Sequence, residues 1–519
     1  MTGLVSLVGA GPWDPELLTL AGRERLSRAD VVIADYLVNP AHLMHCRQGA
    51  RIYQRQAGPH ACLLDQSAVN DLMVEHARAG SYVVRLKGGD PMIFGRGCEE
   101  AQHLRAHGVD FEFVPGVSAA IAAPEAAGIP VTHRDHTPSV SFVSGYEAYD
   151  KGGHAVAWDH LAQSAGTLVL MMGVRNARDN TARLIAAGRP ASTPAALIRW
   201  GTRGIQRTLV GTLGDIADLA EKSGLRAPAV MVVGSVVALR QEIQWFERRP
   251  LFGRRIVVTR AAHQSGELLA RLAAAGADAV AIPCLALAPP DDLAAVHDAV
   301  RRLDHHDGLI LSSPNGVRAF FEALAAVGAD ARALAGRLVA VIGAGTAAAA
   351  QAHQIRPDLV PARPRAEGLL DELRAKGLLA RRWLHVRADE GRDLLGPAIT
   401  AAGGDYQLVV GYRTVRPHVS PLLVRTLLPT DQGGEGVDAI TFASGKTARN
   451  LLALLHEQLG EPATRQILQS ARVVALGPVT AEALAAEGVR VDAIAEDTND
   501  AALLTALRGL LAPTEGAPT

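Results

Sequence analysis

Cysteine is scarce and scattered. The chain has four in 519 residues (Cys46, Cys62, Cys98 and Cys284) with no CxxC pair, which argues against a disulfide framework or a zinc knuckle and leads us to expect a reducing cytoplasm and no metal site. Long apolar runs are missing too. None approaches the length of a membrane span, and the N-terminus passes straight into a strand-like segment with no signal-peptide pattern, so a soluble protein is expected. An excess of charge is also lacking. With a formal net charge of −1, neither a duplex-binding nor a polybasic membrane role is expected. Lysine is rare, supplying only Lys87, Lys151, Lys222, Lys376 and Lys446 among 52 basic residues. The arginine bias fits a GC-rich genome, or arginine forks that meet a substrate bearing many carboxylates; composition does not choose between them.

What is present is alternation. Apolar β-branched runs at Leu4 to Val8, Val31 to Ala34, Tyr82 to Leu86, Ser139 to Ser144, Thr167 to Met171 and Ala229 to Val233 are separated by Ala/Leu/Arg-rich stretches of helical period. This is the pattern of an α/β protein, and a chain of this length needs more than one core. "WFERRPLFGRRIVVTR" breaks the texture with Pro250 and Gly253, which places a boundary near residue 250. Beyond it the sequence echoes itself. Arg254 to Pro283 resembles Arg381 to Tyr412, Asp307 to Leu324 resembles Asp438 to Leu455, and Val339 to His353 resembles Val473 to Gly488. Two similar α/β lobes facing each other are expected from this repeat.

Two glycine loops invite a dinucleotide reading: "VSLVGAGPWDPELLTL" from Val5, followed by Asp35, and "LVAVIGAGTAAAA" from Leu338. A pyrophosphate loop must enter its helix at once, so that free N–H groups meet the phosphates. In the first loop Pro12 and Pro15 remove two donors, and Asp14 adds a negative charge. It suits an uncharged or cationic ligand better. The second lacks an acidic residue at ribose distance, and its echo replaces a glycine with Pro478 while keeping Thr480 beside Thr346. Neither loop is expected to hold a dinucleotide.

"VRLKGGDPMIFGRGCEE", "VPGVSAAIAAPEAAGIPVTHRD", "LMMGV", "GTRGIQRTLVGTL" and "VGSVVALRQEIQWF" follow one another between residues 84 and 246. Together they resemble uroporphyrinogen-III C-methyltransferase. That resemblance implies a two-lobed tetrapyrrole-methylase fold with S-adenosylmethionine as co-substrate and a homodimer formed through this half. It also implies methylation of two carbons of uroporphyrinogen III to give precorrin-2, the branch point toward sirohaem and cobalamin. By the same resemblance Pro12, Gly88, Gly89, Asp90, Ile93, Ser118, Ala119, Met172 and Gly201 would contact S-adenosylmethionine. Bared glycine backbone suits such a phosphate-free ligand, and Asp90 can lie beside its cationic groups. Asp35 matches the candidate base. The chain departs from the family at Trp13, where glycine is usual, and at Arg55, where lysine is usual; Arg55 is taken as a substrate-binding candidate. Arg85, Lys87, Arg96 and Arg134 are further candidates for the substrate's carboxylates, or surface ion pairs.

"VVTRAAHQSGELLARLAAAGA", "GLILSSPNGVRAF", "AEGLLDEL", "HVRADEGRDLLGPAITAAGGDYQLVVGYRT", "ITFASGKTARNLL" and "VVALGPVTAEAL" fall in order in the second half. They resemble uroporphyrinogen-III synthase, implying two α/β lobes that cyclise hydroxymethylbilane with inversion of the last ring and no cofactor. That reaction expels a hydroxyl and needs a proton donor, for which the resemblance offers Tyr412. Ser312, Ser313, Thr346, Ser444, Lys446 and Thr480 are candidates to hold the octacarboxylate, because hydroxyls and loop-end N–H groups suit carboxylates. The expected division is 1–247 methyltransferase, 248–253 linker, 254–511 synthase and 512–519 disordered tail. The rival readings are a sister methylase with another substrate and a non-catalytic tetrapyrrole-binding second half.

Overall fold

The computed structural model describes residues 3–47, 49–54, 65–146, 156–164, 166–391, 393–430 and 434–512. These residues form four five-stranded sheets. The first half of the chain supplies two of them. β1 (Leu4–Gly9), β2 (Val31–Ala34), β3 (Arg51–Gln54), β4 (Val83–Lys87) and β5 (Asp110–Val114) make a wholly parallel sheet in the order β3-β2-β4-β1-β5. β1, β2 and β4 are buried along nearly their whole length, as a parallel sheet covered on both faces requires. β6 (Val140–Ser144), β7 (Thr167–Met171), β8 (Pro194–Arg199), β9 (Arg207–Thr212) and β10 (Ala229–Val233) make a mixed sheet, β6-β7-β10-β8-β9, in which only β6 and β7 run parallel.

The second half supplies β11 (Arg255–Val258) and β12 (Asp278–Ala281); then β13 (Ala286–Ala288), β14 (Gly308–Leu311), β15 (Leu338–Val341), β16 (Arg382–Ala388) and β17 (Asp405–Val415); then β18 (Ala439–Phe442), β19 (Arg472–Ala475) and β20 (Ala493–Ile494). Two sheets result, β12-β11-β18-β19-β20 and β13-β17-β16-β14-β15. The chain divides into two compact units, residues 1–283 with 419–519, and residues 284–418.

The repeat thus yields two similar sheets, but neither is one copy of the repeat. The β11–β12 pair of the first copy joins the β18–β19 pair of the second through β11 and β18, while the β16–β17 pair of the second joins the β14–β15 pair of the first through β16 and β14. The four-strand orders β12-β11-β18-β19 and β17-β16-β14-β15 correspond position for position. Sequence similarity marks strands of like pattern; which copy each strand joins is settled by long-range pairing. The expected linker is also part of a core. Leu251 is fully buried among Ile256, Leu268 and Leu507, and Phe252 meets Phe246 edge-on. Of the expected tail, 513–519 lies outside the described residues.

Candidate functional sites

A cavity of about 440 Å³ opens where the strand ends of the first two sheets converge, within the first compact unit. Pro12 reaches it from the loop after β1, Tyr36 and Leu37 follow β2, and Gly88 to Asp90 follow β4. Met172 follows β7, and Trp200 and Gly201 follow β8. Binding sites of open α/β sheets lie at such C-terminal strand ends. All nine residues expected around S-adenosylmethionine line this one cavity.

The glycines of the opening loop hold loops together. Gly11 and Gly89 exchange backbone hydrogen bonds of 3.2 and 2.7 Å, and both have positive φ. A Cβ on Gly9 would lie 2.6 Å from Gly116 Cα and 2.7 Å from Gly89 O. A short 3-10 turn, Pro15–Leu17, capped by Asp14, follows the loop, and the α-helix begins only at Leu20, so the α-helix N-terminus stands apart from it. Asp90 ties the second loop down, accepting from Met92 N–H at 2.7 Å and Gly116 N–H at 3.0 Å. Ser118 caps the helix Ala119–Ala126. Sequence reasoning missed Tyr36, Phe94, Tyr146 and Trp200 as lining residues. Backbone geometry marks two of them. Phe94, Arg96, Met172, Trp200 and Thr202 all have positive φ without being glycine, and they cluster at the cavity's loops.

Behind β4 lies a compact charge cluster. Arg85 Nε donates to Glu100 Oε1 at 3.0 Å and Nη2 to Asp35 Oδ1 at 2.6 Å, while Lys87 Nζ meets the same Glu100 oxygen at 2.9 Å. Arg85, Lys87 and Glu100 are buried, and burial together with the Arg85 charge holds the Lys87 ammonium below its ordinary pKa. Arg85 and Lys87 therefore face carboxylates of the protein itself, which corrects their reading as substrate contacts. Arg96 pairs with Glu99 on the surface, Arg134 is exposed, and Arg55 lies outside the described residues. Asp35 is partly exposed at the end of β2, one residue before the cavity-lining Tyr36.

In the second compact unit a cavity of about 220 Å³ is lined by Ser312, His385, Arg387, Glu390, Asp393 and Tyr412, among others. Ser313 caps the helix Pro314–Ala326 through Gly316 N–H at 3.0 Å, and its hydroxyl lies 2.9 Å from that of Tyr412. Thr346 is buried in the first turn of the helix Ala344–Ala352. No sequence motif pointed to His385. Tyr406 donates its hydroxyl proton to Asp393 at 3.1 Å, so His385 Nδ1–H, 2.7 Å away, donates to the Tyr406 oxygen. Nε2 is then a bare acceptor, and it has no partner among the described residues. Burial pulls the imidazole down to about 4 and pushes the Tyr406 hydroxyl up. Ser444, Lys446 and Thr480 belong to the other unit. Ser444 forms a capping box with Thr447, Lys446 follows it in the first turn, and Thr480 is buried in the first turn of the helix Pro478–Ala486.

Comparison with known proteins agrees with both halves. The family "Tetrapyrrole (Corrin/Porphyrin) Methylases" matches residues 4–217, and "Uroporphyrinogen-III synthase HemD" matches residues 266–505. The porphyrin biosynthesis protein HemD of Ruminiclostridium josui is 36% identical over 359 residues, covering 69% of this chain and 71% of that protein. The uroporphyrinogen-III C-methyltransferase of Bacillus subtilis is 38% identical over 338 residues, 65% of this chain and 69% of that protein. That of Priestia megaterium is 45% identical over 235 residues, 45% of this chain and 98% of that protein. The chain belongs to the tetrapyrrole methylases, with a uroporphyrinogen-III synthase fused behind the methylase. It is a bifunctional enzyme of tetrapyrrole biosynthesis, a uroporphyrinogen-III C-methyltransferase and a uroporphyrinogen-III synthase, with S-adenosylmethionine as co-substrate.

Proposed function

We propose that residues 254–511 cyclise hydroxymethylbilane to uroporphyrinogen III and that residues 1–247 methylate this product twice to precorrin-2. The observation that supports the first-half assignment is the convergence of nine expected S-adenosylmethionine contacts on one cavity of a small-molecule site's size. S-adenosylmethionine supplies an electrophilic methyl on a sulfonium. Gly88 and Gly89 leave the backbone bare for it, and Asp90 offers a carboxylate that favours its cationic groups. Asp35, aimed by Arg85, takes the proton that the macrocycle loses after a pyrrole carbon attacks the methyl group. Arg55 binds a substrate carboxylate.

In the second half Tyr412 donates a proton to the departing hydroxyl, with its own hydroxyl held by Ser313. Ser312, Thr346, Ser444, Lys446 and Thr480 hold the carboxylate arms, and this half needs no cofactor. We further propose a cytoplasmic homodimer joined through the methyltransferase half; sedimentation of the purified chain checks the dimer. Anaerobic incubation of the whole chain with hydroxymethylbilane tests the main reading. Type III uroporphyrinogen without S-adenosylmethionine and precorrin-2 with it are expected. Type I product would sink the synthase assignment, and unmethylated type III product in the presence of the donor would sink the methyltransferase one.

A further inference from the structure

Arg203 lies in the loop after β8, two residues beyond the cavity-lining Gly201, and only 4% of its side chain is exposed. One edge of the guanidinium grips Asp278, with Nε 2.7 Å from Oδ1 and Nη2 3.1 Å from Oδ2. Nη2 also donates to Glu435 at 2.7 Å. Asp278 begins β12 and Glu435 precedes β18, so both carboxylates come from the synthase half, in the same compact unit. Arg255 of β11 pairs with the same two carboxylates. Two cations thus meet two anions, the balance that a buried ion cluster requires.

The flat faces of the guanidinium are used as well. Its centre lies 4.4 Å from the Trp13 ring and 4.7 Å from the Trp200 ring, and the two indoles meet edge-on at 5.9 Å. Trp200 has φ +53°, a conformation that side-chain-bearing residues keep only where their surroundings enforce it. Gly204, the residue after Arg203, presses on the synthase half so closely that a Cβ there would lie 2.1 Å from Asp278 N. Gly204 O also accepts from Gly253 N–H at 2.8 Å.

We propose that Arg203 is a positioning residue for S-adenosylmethionine: clamped by Asp278 and Glu435 of the synthase half, it fixes Trp200 and with it the Trp200–Gly201 wall of the methyltransferase cavity. This rests on reading that cavity as the S-adenosylmethionine site. It also gives the unusual Trp13 a task, which is to cover one face of the clamped guanidinium. The synthase half is then a structural partner of methylation as well as the source of its substrate.

Calorimetric titration of the full-length chain with S-adenosylhomocysteine, the spent methyl donor, tests this. Arg203→Lys keeps the charge but loses the fork and the flat faces. Its Kd is expected to rise about tenfold or more, with the KM for S-adenosylmethionine rising in step. Glu435→Gln and Trp13→Leu are expected to raise both about threefold, with kcat at saturating donor and the cyclisation rate within about twofold of the unaltered chain. Trp13→Leu leaves no buried charge unpaired, so it decides the matter if Arg203→Lys does not fold. Folded variants that bind as tightly as the unaltered chain, or that lose kcat with KM unchanged, overturn the inference. An unaltered chain that fails to bind at all overturns instead the reading of the cavity.

Discussion

Asp35 receives the Arg85 guanidinium at 2.6 Å, so its carboxylate is aimed before any substrate arrives. Asp35→Asn keeps a hydrogen-bond acceptor for Arg85 but cannot take a proton. Methylation is expected to fall about a hundredfold or more while cyclisation of hydroxymethylbilane continues at the unaltered rate. A methylation rate that survives the change would leave Asp35 a purely structural partner of Arg85. Tyr412 poses the corresponding question in the other half, because its hydroxyl is both the proposed acid and a partner of the helix-capping Ser313. Tyr412→Phe is expected to slow ring closure about a hundredfold, at the low end of what a positioned acid contributes, with methylation of added uroporphyrinogen III unaffected. Both roles depend on chemistry that local sequence can suggest. What the sequence could not show was that Arg85 and Lys87 turn inward to Glu100, since a basic residue in a strand looks the same whether it meets substrate or protein.

The two glycine loops look alike as text and differ as objects. After β1 the chain crosses the loop after β4, and Gly9 sits against Gly116 and Gly89 with no room for a methyl group. After β15 the chain enters a helix at once, and Gly345 has open space around the position of a Cβ. Gly9→Ala should push the loops apart and weaken S-adenosylhomocysteine binding at least tenfold, an effect worth about 1.4 kcal/mol. Gly345→Ala should raise stability by up to about 1 kcal/mol, the usual gain for that exchange within a helix. Thermal melting and titration of both variants check the contrast; equal behaviour would mean that loop crossing does not set the glycine requirement. The six strands expected in the first half are present within a residue at each end, because five of them, β1, β2, β4, β7 and β10, are largely buried and carry near-continuous apolar runs. β3, β5 and β9 escaped notice because their residues are largely half-buried or exposed and mixed in polarity, and β8, though its middle is buried, because Pro194 and two alanines open it without a β-branched run.

Acid should weaken the protein through two buried imidazoles in separate compact units. Burial pulls His42 and His385 each down to about 4 from the ordinary 6.5, and neither ring nitrogen of His42 has a partner among the described residues. Below pH 6.5 the unfolded chain binds protons that the folded chain refuses. Stability is therefore full above about pH 6.5 and falls as pH drops toward 4, by on the order of 3 kcal/mol for each group. Denaturant titrations of the unaltered chain and of His385→Gln check this. The variant should lose part of the slope between pH 6.5 and 4, and an unchanged slope would show that His385 is not buried neutral.

The sequence by itself determined the α/β character, the first-half strands, the nine residues that meet at one cavity and the kinship of both halves. Each of these is carried by neighbours in the chain or by short ordered motifs. Only the tertiary structure decided that the two repeats exchange their strand pairs, so that β11 lies beside β18 and β16 beside β14. Only it brought Asp278 and Glu435 to Arg203, and the Arg203 guanidinium to the indole of Trp13. These contacts join residues whose local patterns carry no sign of one another. They form because burying a strand edge or a charge requires a partner, and the fold alone sets which partner is within reach.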